Sequence, residues 1–441
     1  MQIEAPIPKK PRMFDQFLIP FVKSRAFPYL WLSQLISMLG GSVTTVILPM
    51  VVYSLTGSTT MMGLVMTAYM LPYVLMLPLS GWIVDRYDRV KIMMLSDLVR
   101  FIVMLAIAAF IFSDTLSIHM LFGLVGIYGL MEGLFHPAYS AVRATVFTPD
   151  IRNAANALTQ MSNQGVRIIG PVLGGIIVSS VSASYGFSLD ALTYLISYLC
   201  LLLLVKKSLY ASSKAEPAKA NGESRAAVHA DANHTNAKST FSWKREFLEG
   251  IKILKGHPWL WITILAFCFI NICYNGIIVI LVPWLFKVHL GLDPLMYGIG
   301  ITCSGAGAIA AAIIFGSKTK WHHRGIFAYG AVILSGAALL VMPFTTEPIP
   351  LCLLMAVEGF GLMIFGLIWE TSLQELVPPE AFGRVVSLDL LGSFALLPLS
   401  YFLVGWIADQ IGGVITITIF ASIGLAIVGS VLCVPAIRRF Q

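Results

Sequence analysis

The chain has 441 residues, 57% of them apolar and only 12% charged, with a mean hydropathy of +0.83. Soluble domains run at about one half apolar and about one quarter charged, so a water-soluble enzyme or binding domain is excluded and a polytopic membrane protein is indicated. A formal net charge of +7 would suit nucleic acid, but the positive charge is distributed as membrane topology requires, and no nucleic-acid partner is expected.

Residues 1–26 carry Lys9, Lys10, Arg12, Lys23 and Arg25 with no apolar core between them, which predicts a cytoplasmic tail instead of a cleavable signal. A helix needs about 20 apolar residues to cross a bilayer. Twelve segments qualify: 27–53, 61–84, 92–112, 118–142, 155–180, 185–205, 258–286, 295–317, 325–344, 349–373, 385–408 and 414–436. They divide into six spans over 27–205 and six over 258–436, separated by a linker at 206–257 and followed by a tail at 437–441.

Of the 29 Lys and Arg residues, 26 lie in the tails and the even-numbered connections, and the odd-numbered connections hold only Lys287. Basic residues are retained on the cytoplasmic side, so both termini are expected in the cytoplasm of a bacterial cell and the spans in its inner membrane. The middle of the linker, ASSKAEPAKANGESRAAVHADANHTNAKST, has too little apolar surface to fold. After it, Phe241, Phe247, Leu248, Ile251 and Leu254 share one helix face and predict a helix lying on the membrane surface. The six cysteines fall in apolar segments without metal-ligand spacing, so neither a metal nor a disulfide is expected. A weak internal repeat matches TPDIRNAANAL (148–158) with PPEAFGRVVSL (378–388) without gaps, at the fourth connection of each half.

One connection stands out. Gly81 to Lys91 reads GWIVDRYDRVK, an apolar helix ending in Asp85, Arg86, Asp88, Arg89 and Lys91. An acid at a membrane boundary is costly unless something positive meets it. This stretch resembles the signature loop between helices two and three of the major facilitator superfamily, with Asp88 where the family usually has a second glycine. LWLSQLISMLGG (30–41), Thr56-Gly57-Ser58 with Gly63, Pro72, Asp97 to Arg100, and PDIRNAANAL (149–158) follow in the order seen in the drug/proton antiporter branch that contains macrolide and enterobactin exporters. The resemblance implies an all-α fold of twelve transmembrane helices in two pseudo-symmetric six-helix bundles.

It also implies roles. Gly81, Asp85, Arg86 and Arg89 would form a conformational latch in which Asp85 meets Arg143 and the helix start near Arg384, where the helix dipole is positive. Asp97 and Arg100, three apart on one face, could extend that latch. Gly170-Pro171-Val-Leu-Gly174-Gly175 is similar to the family's antiporter motif, a hinge in which small residues let helices approach; ordinary tight packing is the alternative.

Glu132, Arg167, Glu358 and Glu370 lie inside apolar spans, where an ionisable group costs about 2.5–3.5 kcal/mol by insertion scales. Desolvation disfavours the charged form of a carboxylate, so Glu132 and Glu358, on helices that line the cavity in this family, are candidates for exchanging protons and substrate. A salt bridge between Glu132 and Arg167 that only ties helices is the competing reading. Gln34, Tyr69, Tyr73, His136, Tyr139, Asn163, Asn271, Tyr274 and Asn275 are candidate cavity residues, suited together to a bulky amphiphile with a cationic group.

The expected function is proton-coupled efflux of an amphipathic small molecule by alternating access, in a chain that is no enzyme and acts as a monomer. Its partners are substrate, protons and lipid, and it needs no cofactor. Siderophore export and a non-transporting membrane sensor are the alternatives.

Overall fold

The computed structural model describes residues 13–206, 256–315, 323–377 and 379–438. The linker's central tract, the surface helix expected over 241–255 and the terminal 439–441 lie outside them. Fifteen helices follow in order among the described residues: α1 (Met13–Lys23), α2 (Phe27–Thr56), α3 (Thr59–Arg86), α4 (Arg89–Phe112), α5 (Ile118–Val146), α6 (Arg152–Ser180), α7 (Ala183–Lys206), α8 (Pro258–His289), α9 (Pro294–Phe315), α10 (Arg324–Val341), α11 (Pro348–Leu376), α12 (Pro379–Phe394), α13 (Leu397–Ile411), α14 (Gly413–Leu432) and α15 (Pro435–Arg438). Helices α2–α7 make one bundle and α8–α14 the other. The outward surface is studded with exposed Leu71, Leu75, Leu79, Ile313 and Leu353, as lipid contact requires.

Among the described residues, eleven helical stretches are long and apolar enough to cross a membrane by length and composition. The twelfth expected span, α6, is long enough at 29 residues, but the part from Arg152 to Arg167 carries Arg152, Asn153, Asn156, Gln160, Asn163, Gln164 and Arg167. Of these, Arg167 lines the cavity between the bundles, and the polar residues together lower the hydropathy of α6 below that of the other spans. Span eleven is two helices, α12 and α13, broken at Ala395 and Leu396 just before Pro398, since proline suits a helix start and not a helix interior. In α8, Pro283 has no N–H to donate, and wider i→i+5 turns flank it at Ile277–Leu281 and Leu285–His289. Proline and π-turns together bend a helix where a cavity needs room.

The turns are fixed by local chemistry. Gly57 ends α2 with φ 63°, and Ser58 caps α3 by accepting from Met61 N at 3.2 Å. Asp88 caps α4, its Oδ1 accepting from Val90 N (3.0 Å) and Lys91 N (3.1 Å). A side-chain acceptor there satisfies helix-end donors that a glycine leaves open, which accounts for the departure from the family's glycine.

The basic connections, including α3–α4 and α5–α6, mark one end of the molecule. At the far end the two bundles are joined. Asp409 on α13 receives Ser58 Oγ (2.5 Å), Thr59 N (2.9 Å), Thr59 Oγ1 (2.6 Å) and Thr60 N (2.9 Å), so a carboxylate of one bundle caps a helix of the other. Gly63 and Gly405 let α3 and α13 touch, because a Cβ on either would stand 2.1 Å from Tyr401 O or 2.3 Å from Thr59 O. The second seam, α6 against α9, is held by Ser179 to Asp293 (3.1 Å) and by Thr302 Oγ1 to Ile168 O (2.7 Å). Among the described residues, every hydrogen bond between the bundles lies at this far end or near mid-depth, and none lies at the basic end.

Candidate functional site

Between the bundles lies a cavity of about 580 Å³, within the range of small-molecule sites. Its wall is mainly aliphatic, from Leu48, Met66, Ile107, Val279, Val282, Ile301 and Met363, and is interrupted by the phenols Tyr69, Tyr128, Tyr297 and Tyr401, by Asn275, and by one acid and one base. The acid is Glu358 on α11 and the base is Arg167 on α6. The wall draws on ten helices. α3, α4, α6, α7, α9 and α13 contribute beside α2, α5, α8 and α11.

Glu358 is 3% exposed, and its Oε2 accepts Ser304 Oγ at 2.8 Å. Small residues make this position: a Cβ on Gly359 would meet Ser304 O at 2.0 Å, so α11 lies directly on α9. No ion pair holds the carboxylate among the described residues, although Arg167 lines the same cavity. Its charge is therefore weakly compensated, in a wall that a ligand would touch.

The amino-terminal bundle treats its charges differently. Arg100 on α4 is 2% exposed, with Nη2 2.5 Å from Asp97 Oδ1 and Nη1 3.4 Å from Glu132 Oε2. The rings of Phe135 and Tyr194 face its guanidinium at 4.2 Å and 4.5 Å, so cation–π attraction adds to the ion pairs. Asp97 also receives Ser197 Oγ at 2.6 Å, and Glu132 Oε1 lies 3.1 Å from His136 Nε2. Glu132 thus pairs with Arg100, not Arg167. It does not line the cavity; Tyr128, one turn earlier on α5, does.

The other expected residues fall as follows. Tyr69 and Asn275 line the cavity, and Tyr73 stacks on Tyr69 at 6.3 Å. Gln34 is buried, and its Oε1 finds no partner among the described residues. Tyr139 stacks on Phe135, His136 is exposed, and Asn163 donates to Gln160. Asn271 donates to Ser393 O, and Tyr274 packs within the carboxy-terminal bundle against Gly336 and Gly424. Glu370 is exposed and accepts from Gln374.

In the expected latch, Asp85 is exposed with no ion-pair partner among the described residues, Arg86 stacks over Trp82 at 5.0 Å, and Gly81 has open space beside it. Arg89 starts α4, and Arg143 lies 5.9 Å from the Tyr139 ring. Arg384 belongs to α12, but its side chain is outside those described. In α6, Gly170 and Gly174 face α2, whereas Gly175 meets Leu295 and Pro171 O meets Gly298 on α9. The glycine-proline motif therefore sits between two helices, one from each bundle.

Sequence reasoning missed Asp190 on α7, which is fully buried, and the hydroxyls of Thr44 and Ser304 that hold the buried acids. Asp190 carried the same signal as Glu132, an acid within an apolar span. The hydroxyls carry none, since Thr and Ser are common in such helices.

Comparison with known proteins agrees with this architecture. Among curated proteins, the chain is similar to the "Uncharacterized MFS-type transporter YfiS" of Bacillus subtilis (26% identical over 369 residues, 80% of this chain and 79% of that one). It is also similar to the "Multidrug efflux pump Tap" of Mycolicibacterium fortuitum (23% identical, 85% and 87% covered) and to "Macrolide efflux protein A" of Streptococcus pyogenes (19% identical, 88% and 90% covered). Among solved structures, a POT family transporter in complex with a thioalcohol-conjugated peptide superposes with a TM-score of 0.69 at 14% identity, covering 92% of this chain and 95% of that one, a likeness of fold alone. The profile described as Major Facilitator Superfamily matches residues 30–395. The chain is a multi-pass membrane transporter and not an enzyme, and it belongs to the major facilitator superfamily, in the branch that resembles drug and macrolide exporters.

Proposed function

We propose that this protein exports an amphipathic, cationic small molecule across the bacterial cytoplasmic membrane in exchange for protons. The observation that carries the reading is Glu358. It is a carboxylate on the wall of an aliphatic and phenolic cavity, held by a single hydroxyl. Such a group can bind a proton or a cation but gains little from binding both, and competition for one site is what couples opposed fluxes. The phenols suit a delocalised cation, and the aliphatic wall suits its apolar body.

The basic end is the cytoplasmic one. With Asp409 and Asp293 joining the bundles at the far end, this is the form that takes up cargo from the cytoplasm or inner leaflet. Outward release requires the Asp409 cap to break and the glycine-lined seams at α3–α13 and α6–α9 to roll open. The Asp85 loop would then close the basic end in its role as latch, with the α6 glycine-proline segment as the hinge. The transport unit is the monomer, since both bundles of one chain complete the cavity, and the proton gradient drives it without a cofactor.

A siderophore or other acidic cargo is the second reading, favoured by Arg167 on the same wall. Uptake of ethidium into inverted vesicles tests the first: accumulation should follow an imposed pH difference and vanish with an ionophore. Accumulation indifferent to the pH difference removes proton exchange, and ethidium binding without any flux returns the sensor.

A further inference from the structure

The amino-terminal bundle contains a buried acid that the export reading does not use. Asp190 on α7 has no exposed surface. Its Oδ2 lies 2.5 Å from Thr44 Oγ1 on α2, and its Oδ1 lies 3.4 Å from Thr193 Oγ1 on its own helix. Gly40 makes room for it. A Cβ on that residue would stand 2.4 Å from Asp190 Oδ1 and 2.1 Å from Thr193 Oγ1, so α2 offers the carboxyl a notch and, one turn later, a hydroxyl.

Thr44 from α2 and Thr193 from α7 touch Asp190, and Arg100 from α4, Glu132 and Tyr128 from α5 and Tyr194 from α7 lie within electrostatic reach of it. Arg100 is the single permanent cation among them, and its two terminal nitrogens are engaged by Asp97 and Glu132. Were Asp97, Glu132 and Asp190 all ionised, the cluster would hold three negative charges against one positive charge in the interior of a membrane protein. Uncompensated charge there is expensive. His136 can offset part of it, but only at Glu132. Of the three acids, Asp190 alone touches no cation, so a proton taken up by the cluster rests there.

Thr44 also lines the cavity. A single hydroxyl thus stands between the Asp190 carboxyl and the space where cargo and water enter. Glu358 in the other bundle is likewise paired with one hydroxyl, that of Ser304, but lines the cavity itself. We propose that Asp190 is a second proton-binding site, which exchanges its proton with the cavity through the Thr44 hydroxyl. The role in transport rests on the proton-exchange reading above, whereas the binding of a proton does not.

Infrared difference spectra of the purified full-length protein, recorded as pH is stepped, separate the two. The wild type should show a protonated-carboxyl C=O band that titrates, that is lost in Asp190→Asn and that persists in Glu358→Gln. Thr44→Val should keep the band but shift it, through loss of the hydrogen bond, and Thr44→Ser should restore it. A band in Asp190→Asn superimposable on that of the wild type overturns the proposal. If Asp190→Asn elutes as aggregate, Thr44→Val decides: an Asp190 carboxyl hydrogen-bonded to Thr44 must shift, and unchanged spectra overturn the assignment. Ethidium flux that ignores the pH gradient, alongside an intact Asp190 band, defeats proton exchange as the transport mechanism while leaving the binding site standing.

Discussion

The Arg100 cluster of the amino-terminal bundle and Glu358 of the carboxy-terminal bundle handle buried charge in opposite ways. In the cluster, Arg100 is gripped by Asp97 and Glu132 and walled by Phe135 and Tyr194, so these three charges are spent on one another. In the carboxy-terminal bundle, Glu358 meets Ser304 alone among the described residues and faces the cavity. A paired ionic network is costly to break, whereas an acid with one weak partner is free to trade it. The same fold thus supplies a fixed ion cluster and a working acid, and substitutions in each should fail differently.

The largest effect is expected at Arg100. Arg100→Ala strands two buried carboxylates and should cost about 3–5 kcal/mol, read as loss of folded protein in fluorescence-detected gel filtration. Arg100→Lys should rescue little, because an ammonium cannot stack between two rings while reaching both acids. Recovery to wild-type levels with lysine would show that the network is mere charge balance.

Glu358→Gln comes next and should break the symmetry of the comparison. The protein should fold and elute normally, yet lose pH-driven ethidium accumulation by about tenfold or more. A folding defect as severe as that of Arg100→Ala would place Glu358 in the structural class and erase the contrast.

The twelve spans were legible in sequence because bilayer thickness sets their length and basic residues mark alternate loops. The polar face of α6 and the break before Pro398 blurred only their edges. Which charges meet was not legible. Arg100 and Arg167 are each an arginine within an apolar span, and only the rotation of α4 and α6 about their axes sends one to Glu132 and the other to the cavity. Asp409 was hidden for a related reason. It sits at a span end, where an acid normally faces water, and its capping role depends on the start of α3, some 350 positions away. The π-turns of α8 leave no sequence mark beyond Pro283.

A smaller effect is expected at Asp409, which holds the bundles together without contributing to either core. Asp409→Ala removes the cap on α3 and should shift the balance toward the outward-open form by about 1 kcal/mol, roughly fivefold. Labelling of Tyr53→Cys from outside with an impermeant maleimide reads this shift, and unchanged labelling would mean that the α3–α13 packing suffices. The smallest effect belongs to Arg167→Ala. Ethidium export should stay within about twofold of wild type, because a cation has no use for the guanidinium. A collapse of export would move the working site to Arg167 and favour an acidic cargo.

The central claim is that Glu358 trades a proton for cargo, and vesicles containing Glu358→Gln protein test it most directly when uphill and downhill movement are measured together. Ethidium exchange down its own gradient should persist while accumulation driven by an imposed pH difference disappears. Uphill accumulation equal to that of the wild type would contradict the account.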